Sequence, residues 1–283
     1  MKKRYILIFF IILLTGIILR FYHIGAKSLW SDEAGSLITV HKDLKYLFTY
    51  LFKIDTHPPL YYLGLHLWIK IFGQTAAGLR SFSAVFSSLT IGLIFLMGKQ
   101  FKDLTLGLIL SFLFAISAYQ IYFSQEARLY SLVMFIFCSG YYFYLRYFNY
   151  QKKTDLYLTA LINLAGAYTF LYYIIILGLK DLFLLILMIT GKIKKDFKHF
   201  IISRLVFIIL YLPWIGIIIK KVNKLSGLSL QDNPMTGWTI PNVFIEYFAG
   251  IWKPDNLILY FLLPAVIIFS LVISLTRSRS NSP

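Results

Sequence analysis

Long apolar runs separated by short basic clusters make up most of the chain. The runs suited to single membrane spans cover residues 5–21, 79–97, 104–118, 129–148, 200–219 and 257–275. A longer run at residues 156–187 exceeds one span, so we expect two helices with a turn near residues 170–173. Because about 20 helical residues cross a ~30 Å apolar core, the pattern predicts an all-α, polytopic transmembrane helical bundle of about eight spans.

The basic clusters predict how these spans are oriented. Lysine and arginine concentrate before the first run, after each second run and after the last one, as at Lys2–Arg4, Lys152–Lys153 and Arg277–Arg279. Such clusters mark the cytoplasmic side. We therefore expect both termini in the cytoplasm of a multi-pass plasma membrane protein. One transmembrane domain would cover residues 1–276, and a short polar tail residues 277–283.

The first outer loop, residues 23–72, has its own apolar pattern. Leu44, Leu47 and Leu51 recur at helical spacing, which predicts an amphipathic interfacial helix over residues 43–53. A second short apolar segment, residues 60–72, follows His57-Pro58-Pro59, where the prolines disfavour helix in the preceding residues.

Composition narrows the class of protein. Hydrophobic residues make up 59% of 283 positions and charged residues only 14%, which excludes an ordinary soluble domain. The net charge of +16 comes from the clusters between spans, so we expect membrane lipids rather than nucleic acid as its partner. Cys138 is the single cysteine, so no intrachain disulfide can form.

Four polar groups fall on the outer side in this topology. They are Asp32-Glu33, His57, Glu126 with Arg128, and Lys220 with Lys221. A carboxylate such as Asp32 suits general-base catalysis on an acceptor hydroxyl, and an arginine fork suits a lipid phosphate. Glu126 could orient Arg128 or hold a sugar hydroxyl. Their convergence predicts an outer polar site.

Each group also has an ordinary structural interpretation. Asp32 and Glu33 could cap a loop helix and favour its dipole. Glu126 and Arg128 could form a local ion pair over a turn, and His57 could be a loop histidine at a helix start.

Lys180 and Asp181 lie inside an apolar run, where charges are costly. Either they face the bundle interior or the span boundary is misplaced. They are the one feature that would fit a lipid or sugar transporter, whose polar residues lie at mid-bilayer.

Four ordered blocks resemble a known superfamily. Leu29–Ala34, His57–Tyr62, Leu79–Phe86 and Ser124–Tyr130 are similar to successive blocks of the membrane glycosyltransferases of the glycosyltransferase-C fold. More narrowly, they resemble the protein O-mannosyltransferase and aminoarabinose-transferase branch. The resemblance covers about residues 5–190.

The resemblance implies a sugar donor on polyprenyl phosphate, an outer protein, lipid or glycan acceptor, and inversion at the anomeric carbon. It matches Asp32 to the catalytic carboxylate, Glu33 to its neighbour and Arg128 to a position near the donor phosphate. Because polyprenyl phosphate is a good leaving group, the reaction requires no cofactor in principle. The sequence does not decide whether a divalent metal takes part. Relatives are usually longer, so a truncated or non-catalytic transferase-like scaffold is the alternative expectation.

Overall fold

The computed structural model describes residues 2–53, 57–191 and 196–225, with side chains from residue 3 to residue 217 in these ranges. These ranges are helical and contain no strand, which confirms the predicted all-α class. In chain order the helices are α1 (Lys2–Phe21), α2 (Ser31–Val40), α3 (Leu44–Lys53), α4 (Leu60–Phe72), α5 (Ala76–Phe101), α6 (Leu104–Ile116), α7 (Ala118–Ser124), α8 (Tyr130–Tyr150), α9 (Lys153–Ala167), α10 (Tyr173–Ile189) and α11 (Phe197–Leu225).

Three of these helices are long and apolar enough to cross a membrane: α1, α5 and α11. The pair α6 and α7 would add a fourth, bent span. The protein is therefore an integral membrane protein, while the count of eight spans stays a prediction. The predicted last span and the tail lie outside the described residues.

A bend of 61° separates α6 from α7, where the sequence pattern had predicted the start of an outer turn. The sequence pattern predicts that turn over residues 119–128, and the prediction is wrong for residues 119–124, which are helical. The bend frees carbonyl groups at the end of α6, and Arg20 of α1 donates to two of them, Phe114 O at 3.1 Å and Ala115 O at 3.0 Å. Ser117 then starts α7 by accepting from the amide of Gln120 at 3.5 Å.

Helix α5 packs against α1, α6 and α8 and so forms the centre of the described bundle. Its crossing with α6 is close because glycines face each other. A β-carbon added to Gly98 would lie 2.6 Å from Gly107 Cα. Such small-residue contacts are a common way for membrane helices to approach.

The run at residues 156–187 divides as predicted, with α9 ending at Ala167 and α10 beginning at Tyr173. Lys180 and Asp181 face neighbouring helices. Lys180 Nζ donates to Asn163 Oδ1 of α9 at 2.8 Å, and Arg204 of α11 binds both oxygens of Asp181 at 2.6 Å. Of the two alternatives for these residues, the structure favours contacts inside the bundle.

Helix α3 forms where the amphipathic pattern predicted it. Leu47 and Leu51 are fully buried against the core that α2 and α4 share, while Leu44 and Phe52 are exposed. Only part of its apolar face is therefore free for contact with lipid, and its interfacial position stays a prediction.

Candidate active site

Three segments distant in sequence meet around the start of α2. They are the N-terminal turn of α2, the first turns of α5, and the turn between α7 and α8. Helix α2 begins at Ser31, after Trp30 in an extended conformation with φ −86° and ψ 173°. Its acidic first turn suits the positive end of the helix dipole. The cap is made by Glu33, whose Oε2 accepts from Trp30 N at 3.3 Å.

Arg80 of α5 holds Glu33 and the loop before α2 together. Its Nε donates to Glu33 Oε1 at 2.8 Å and its Nη2 donates to Glu33 Oε2 at 2.7 Å. The remaining N–H groups donate to carbonyl oxygens of Ile24, Lys27 and Ser28 at 2.9–3.0 Å. All five donors of the guanidinium are thus engaged.

Glu33 is fully buried, and its carboxylate is occupied by protein groups. Besides Arg80 and Trp30, the amide of Ala127 donates to its Oε1 at 2.8 Å. Burial raises the pKa of Glu33, but the hydrogen bonds from Arg80 and these amides outweigh burial and hold the pKa below its ordinary value. Glu33 is therefore an ionised anchor that joins α2, α5 and the α7–α8 turn.

Asp32 differs from its neighbour. Its side chain is 45% exposed, and its Oδ2 lies 3.5 Å from Arg128 Nη2. Arg128 Nη1 also approaches the backbone oxygen of Asp32 at 3.4 Å. The site thus presents one accessible carboxylate beside one arginine.

Arg128 is nearly buried, and its Nε is without a partner among the described residues. Burial lowers the pKa of Arg128, yet Tyr62, Asp32, Tyr130 and Tyr61 raise it above its ordinary value. The guanidinium is therefore a fixed cation with an unused donor. An anion with several oxygens, such as a phosphate, suits such a group.

Glu126 lies beside this pair and is also buried. Burial, together with the charges of Glu33 and Asp32, raises the pKa of Glu126, although a hydrogen bond with Tyr122 and the charge of Arg128 act in the opposite direction. The local ion pair between Glu126 and Arg128 is not formed within the described residues, where Asp32 is the carboxylate next to Arg128.

The remaining candidate residues are His57, Lys220 and Lys221. His57 packs edge-on against Tyr62, with ring centroids 6.4 Å apart, and Tyr62 is one of the groups that influence Arg128. Lys220 and Lys221 fall within the range of α11, but their side chains lie outside the described residues. Within the described ranges, no three His, Cys, Asp or Glu side chains group as a metal site would require.

Sequence reasoning did not select Arg80 as a site residue. The available signal was an arginine in the first turns of a long apolar helix, inside one of the recognised blocks. Gln125, inside another of the recognised blocks, was not selected as a site residue either, although its amide donates to Leu19 O at the end of α1 and to Tyr22 O just after it, at 3.2 and 2.9 Å. It links the α7–α8 turn to the segment that leads into α2.

A family model described as dolichyl-phosphate-mannose-protein mannosyltransferase matches residues 56–216, which is more than half of the chain. The chain belongs to this family. It is therefore a membrane glycosyltransferase by family, as the four blocks predicted. No curated protein matches the chain.

The range of the family match matters for the site of this mannosyltransferase-family protein. It includes Arg80, Glu126 and Arg128 and begins after Asp32. The assignment of Asp32 to the site therefore rests on its contacts in the structure and not on the family match. Its carboxylate lies beside Arg128, and its neighbour Glu33 is fixed by Arg80.

Proposed function

We propose that this protein transfers a sugar from a polyprenyl-phosphate donor to an acceptor hydroxyl on the extracytoplasmic side, by a single inverting displacement with Asp32 as the general base. The observation that carries the proposal is the contrast between adjacent carboxylates. Glu33 has its oxygens engaged, whereas Asp32 is half exposed and lies 3.5 Å from Arg128. An accessible carboxylate next to a cation is suited to act on one substrate while the cation holds another.

In the proposed step, Asp32 accepts the proton of the acceptor hydroxyl as the hydroxyl oxygen attacks the anomeric carbon. The bond between that carbon and the phosphate oxygen breaks, and polyprenyl phosphate leaves from the opposite face. Its negative charge faces Arg128, whose Nε has a hydrogen to donate. Fixed charge of this kind stabilises a leaving group without reorganisation.

The remaining candidates take supporting roles in this proposal. Glu33 positions Asp32 instead of contacting the substrate, because Arg80 and two backbone amides already occupy its oxygens. Glu126, which feels the charge of Arg128, and His57, which packs on Tyr62, are the candidates to contact the donor's sugar or phosphate. Lys220 and Lys221 stay candidates for binding the same phosphate.

The family description names dolichyl phosphate, mannose and protein, so a mannosyl donor and a peptide acceptor are the first substrates to test. Purified protein would be incubated with several labelled polyprenyl-phosphate sugars and with peptide, lipid and glycan acceptors. Release of polyprenyl phosphate with formation of an inverted glycoside would support transfer. A folded protein that binds donor but transfers none of these sugars would favour the non-catalytic scaffold.

Orientation is tested separately. A cysteine at Lys27 in a Cys138→Ala background should react with an impermeant thiol reagent on intact cells, while one at Lys152 should not. The background is needed because Cys138 is a free, buried cysteine. Labelling at residue 152 alone would place the Asp32 site in the cytoplasm and overturn the proposed side.

A further inference from the structure

A cavity with polar lining residues lies at the other end of α2, about 12 Å along the helix from Asp32 at ~1.5 Å per residue. It has a volume of about 380 Å³ and is formed by the end of α2, the start of α3 and the last turns of α4. Its lining residues are Val40, His41, Lys42, Asp43, Leu44, His66, Ile69, Lys70 and Gln74. Small-molecule pockets typically measure ~300–1,000 Å³, so the cavity is large enough for a small polar group.

His66 at the base of this cavity has an unused ring nitrogen. The side chain is 3% exposed, and its Nδ1 lies 2.7 Å from Val40 O. Because a carbonyl oxygen only accepts, Nδ1 carries a proton, and an imidazole protonated at Nδ1 alone presents Nε2 as an acceptor. Nε2 is buried and has no partner among the described residues. A buried acceptor of this kind favours a ligand that brings a hydroxyl or another donor.

The rim of the cavity carries positive charge. Lys42 lies over the Tyr46 ring at 4.2 Å, and Lys70 lies in the last turn of α4. Asp43 is the acidic residue of the lining, and its Oδ1 is engaged by the amide of Tyr46 at 2.7 Å. His41 also lines the cavity, and its Nδ1 contacts Ile38 O at 2.8 Å. Two lysines around one carboxylate favour an anionic ligand.

One lining residue is an exposed apolar side chain, Leu44. Outside the lining, Ile71 and Phe72 follow Lys70 in the sequence and are 76% and 51% exposed. Exposed apolar groups beside lysines are typical of a surface that meets acyl chains below lipid headgroups.

We propose that this cavity binds a glycerophosphate diester, with the phosphate between Lys42 and Lys70 and a glycerol hydroxyl donating to His66 Nε2. The exposed Leu44 in the lining and the exposed apolar residues that follow Lys70 favour a lipid-borne headgroup, such as that of phosphatidylglycerol, over a soluble ester. The site is separate from the Asp32 centre and does not depend on which side of the membrane it faces.

The test measures binding of short-chain lipids to the full-length protein in neutral detergent by native mass spectrometry. Phosphatidylglycerol is compared with phosphatidylmethanol, which has the same charge without hydroxyls, and with zwitterionic phosphatidylcholine. We expect phosphatidylglycerol to bind at least fivefold more tightly than phosphatidylmethanol and at least tenfold more tightly than phosphatidylcholine. Equal binding of the three would overturn the proposal.

Variants assign the contacts. Lys42→Gln with Lys70→Gln should weaken binding of both anionic lipids at least tenfold, while Lys45→Gln with Lys53→Gln, an equal charge change on α3 outside the lining, should leave it within twofold. His66→Asn keeps a donor near Val40 O and removes the second ring nitrogen, so it should abolish the preference for phosphatidylglycerol over phosphatidylmethanol. Unchanged binding in the lysine pair contradicts the site, even where the histidine variant fails to fold.

The source of the ligand is tested with glycerophosphoglycerol, the same headgroup without acyl chains. Binding at least tenfold weaker than that of the lipid supports a membrane lipid. Binding as tight as that of the lipid supports the same chemistry from a soluble or polymeric glycerophosphate. Absence of binding by both would refute the proposal.

Discussion

Glu33 and Arg80 form a buried, two-pronged ion pair, with N–O distances of 2.8 and 2.7 Å, between residues 47 positions apart in the chain. The pair fixes the first turn of α2 to the start of α5. The pair also gives Asp32, the residue before Glu33, a defined position without using the carboxylate of Asp32. The nearby contact of Asp32 with Arg128 is looser, at 3.5 Å, and involves an exposed carboxylate.

Replacing Glu33 should destabilise the protein strongly. Glu33→Gln leaves the buried Arg80 without its counter-charge, and breaking a buried pair in this way typically costs about 3–5 kcal/mol. The expected result is a clear fall in Tm and in yield, measured by thermal unfolding of the purified protein in detergent.

Glu126→Gln is the matched control for that variant. It removes the charge of another buried carboxylate in the same site, but one whose pKa is raised by burial and by its acidic neighbours. Neutralising it should change Tm little. A Glu126→Gln variant less stable than Glu33→Gln would contradict the assignment of Glu33 as the anchor.

The stability of the protein should also depend on pH through Glu33. Its pKa in the folded protein lies below the ordinary 4.5, so its contribution is complete above that value and is lost as the pH falls through the folded-state pKa. The Tm of the wild type should therefore fall below pH 4.5 more steeply than that of Glu33→Gln. Parallel Tm curves in the two proteins would mean that Glu33 is not the titrating group.

Arg128→Lys tests the phosphate contact. Lysine keeps the charge but loses the planar fork and the free Nε donor, so donor binding should weaken by about tenfold, equivalent to ~1.4 kcal/mol. The measurement is donor KM, with Arg146→Lys in α8, which pairs with Asp155 away from the site, as a control for the substitution itself. Unchanged KM in Arg128→Lys would reduce Arg128 to a structural partner of Asp32.

The pair formed by Asp181 and Arg204 allows a test of packing between α10 and α11. Each single change, Asp181→Leu or Arg204→Met, leaves a buried charge and should lower Tm strongly. The double variant removes both charges and should be more stable than the sum of the single effects predicts. Additive losses would show that the 2.6 Å contacts contribute no coupling.

The helices could be predicted because their signal is local. Run length and basic flanks indicated α1, α5 and α11, and the excess length of residues 156–187 indicated the break before Tyr173. Helix α7 was not predicted because its polar residues, such as Gln120, are typical of a turn between spans. At the bend, the freed carbonyl groups bind Arg20, which lies nearly a hundred residues earlier. A contact over that distance leaves no signal in the local sequence pattern.

The sequence could predict that Asp32 and Arg128 lie near each other, but not the geometry around them. The sequence indicated that Asp32, Glu33 and Arg128 belong together. It could not indicate that Arg80 would neutralise Glu33 and leave Asp32 accessible, since adjacent carboxylates are equivalent in a loop pattern. Which of them is buried depends on how α2 packs on α5, a tertiary contact with no local sequence signature.

Asp32→Asn tests the proposed chemistry most directly. The amide preserves size and hydrogen bonding but cannot accept the proton, so kcat should fall by about 10²–10⁴-fold. Donor binding and Tm should stay near wild type, because the side chain is half exposed and its contact with Arg128 is loose. Asp43→Asn, in the same loop but outside the site, is the matched control and should retain activity. Normal turnover in a folded Asp32→Asn protein would eliminate Asp32 as the base, and loss of folding would instead indicate that Asp32 acts as a structural part of the α2 turn.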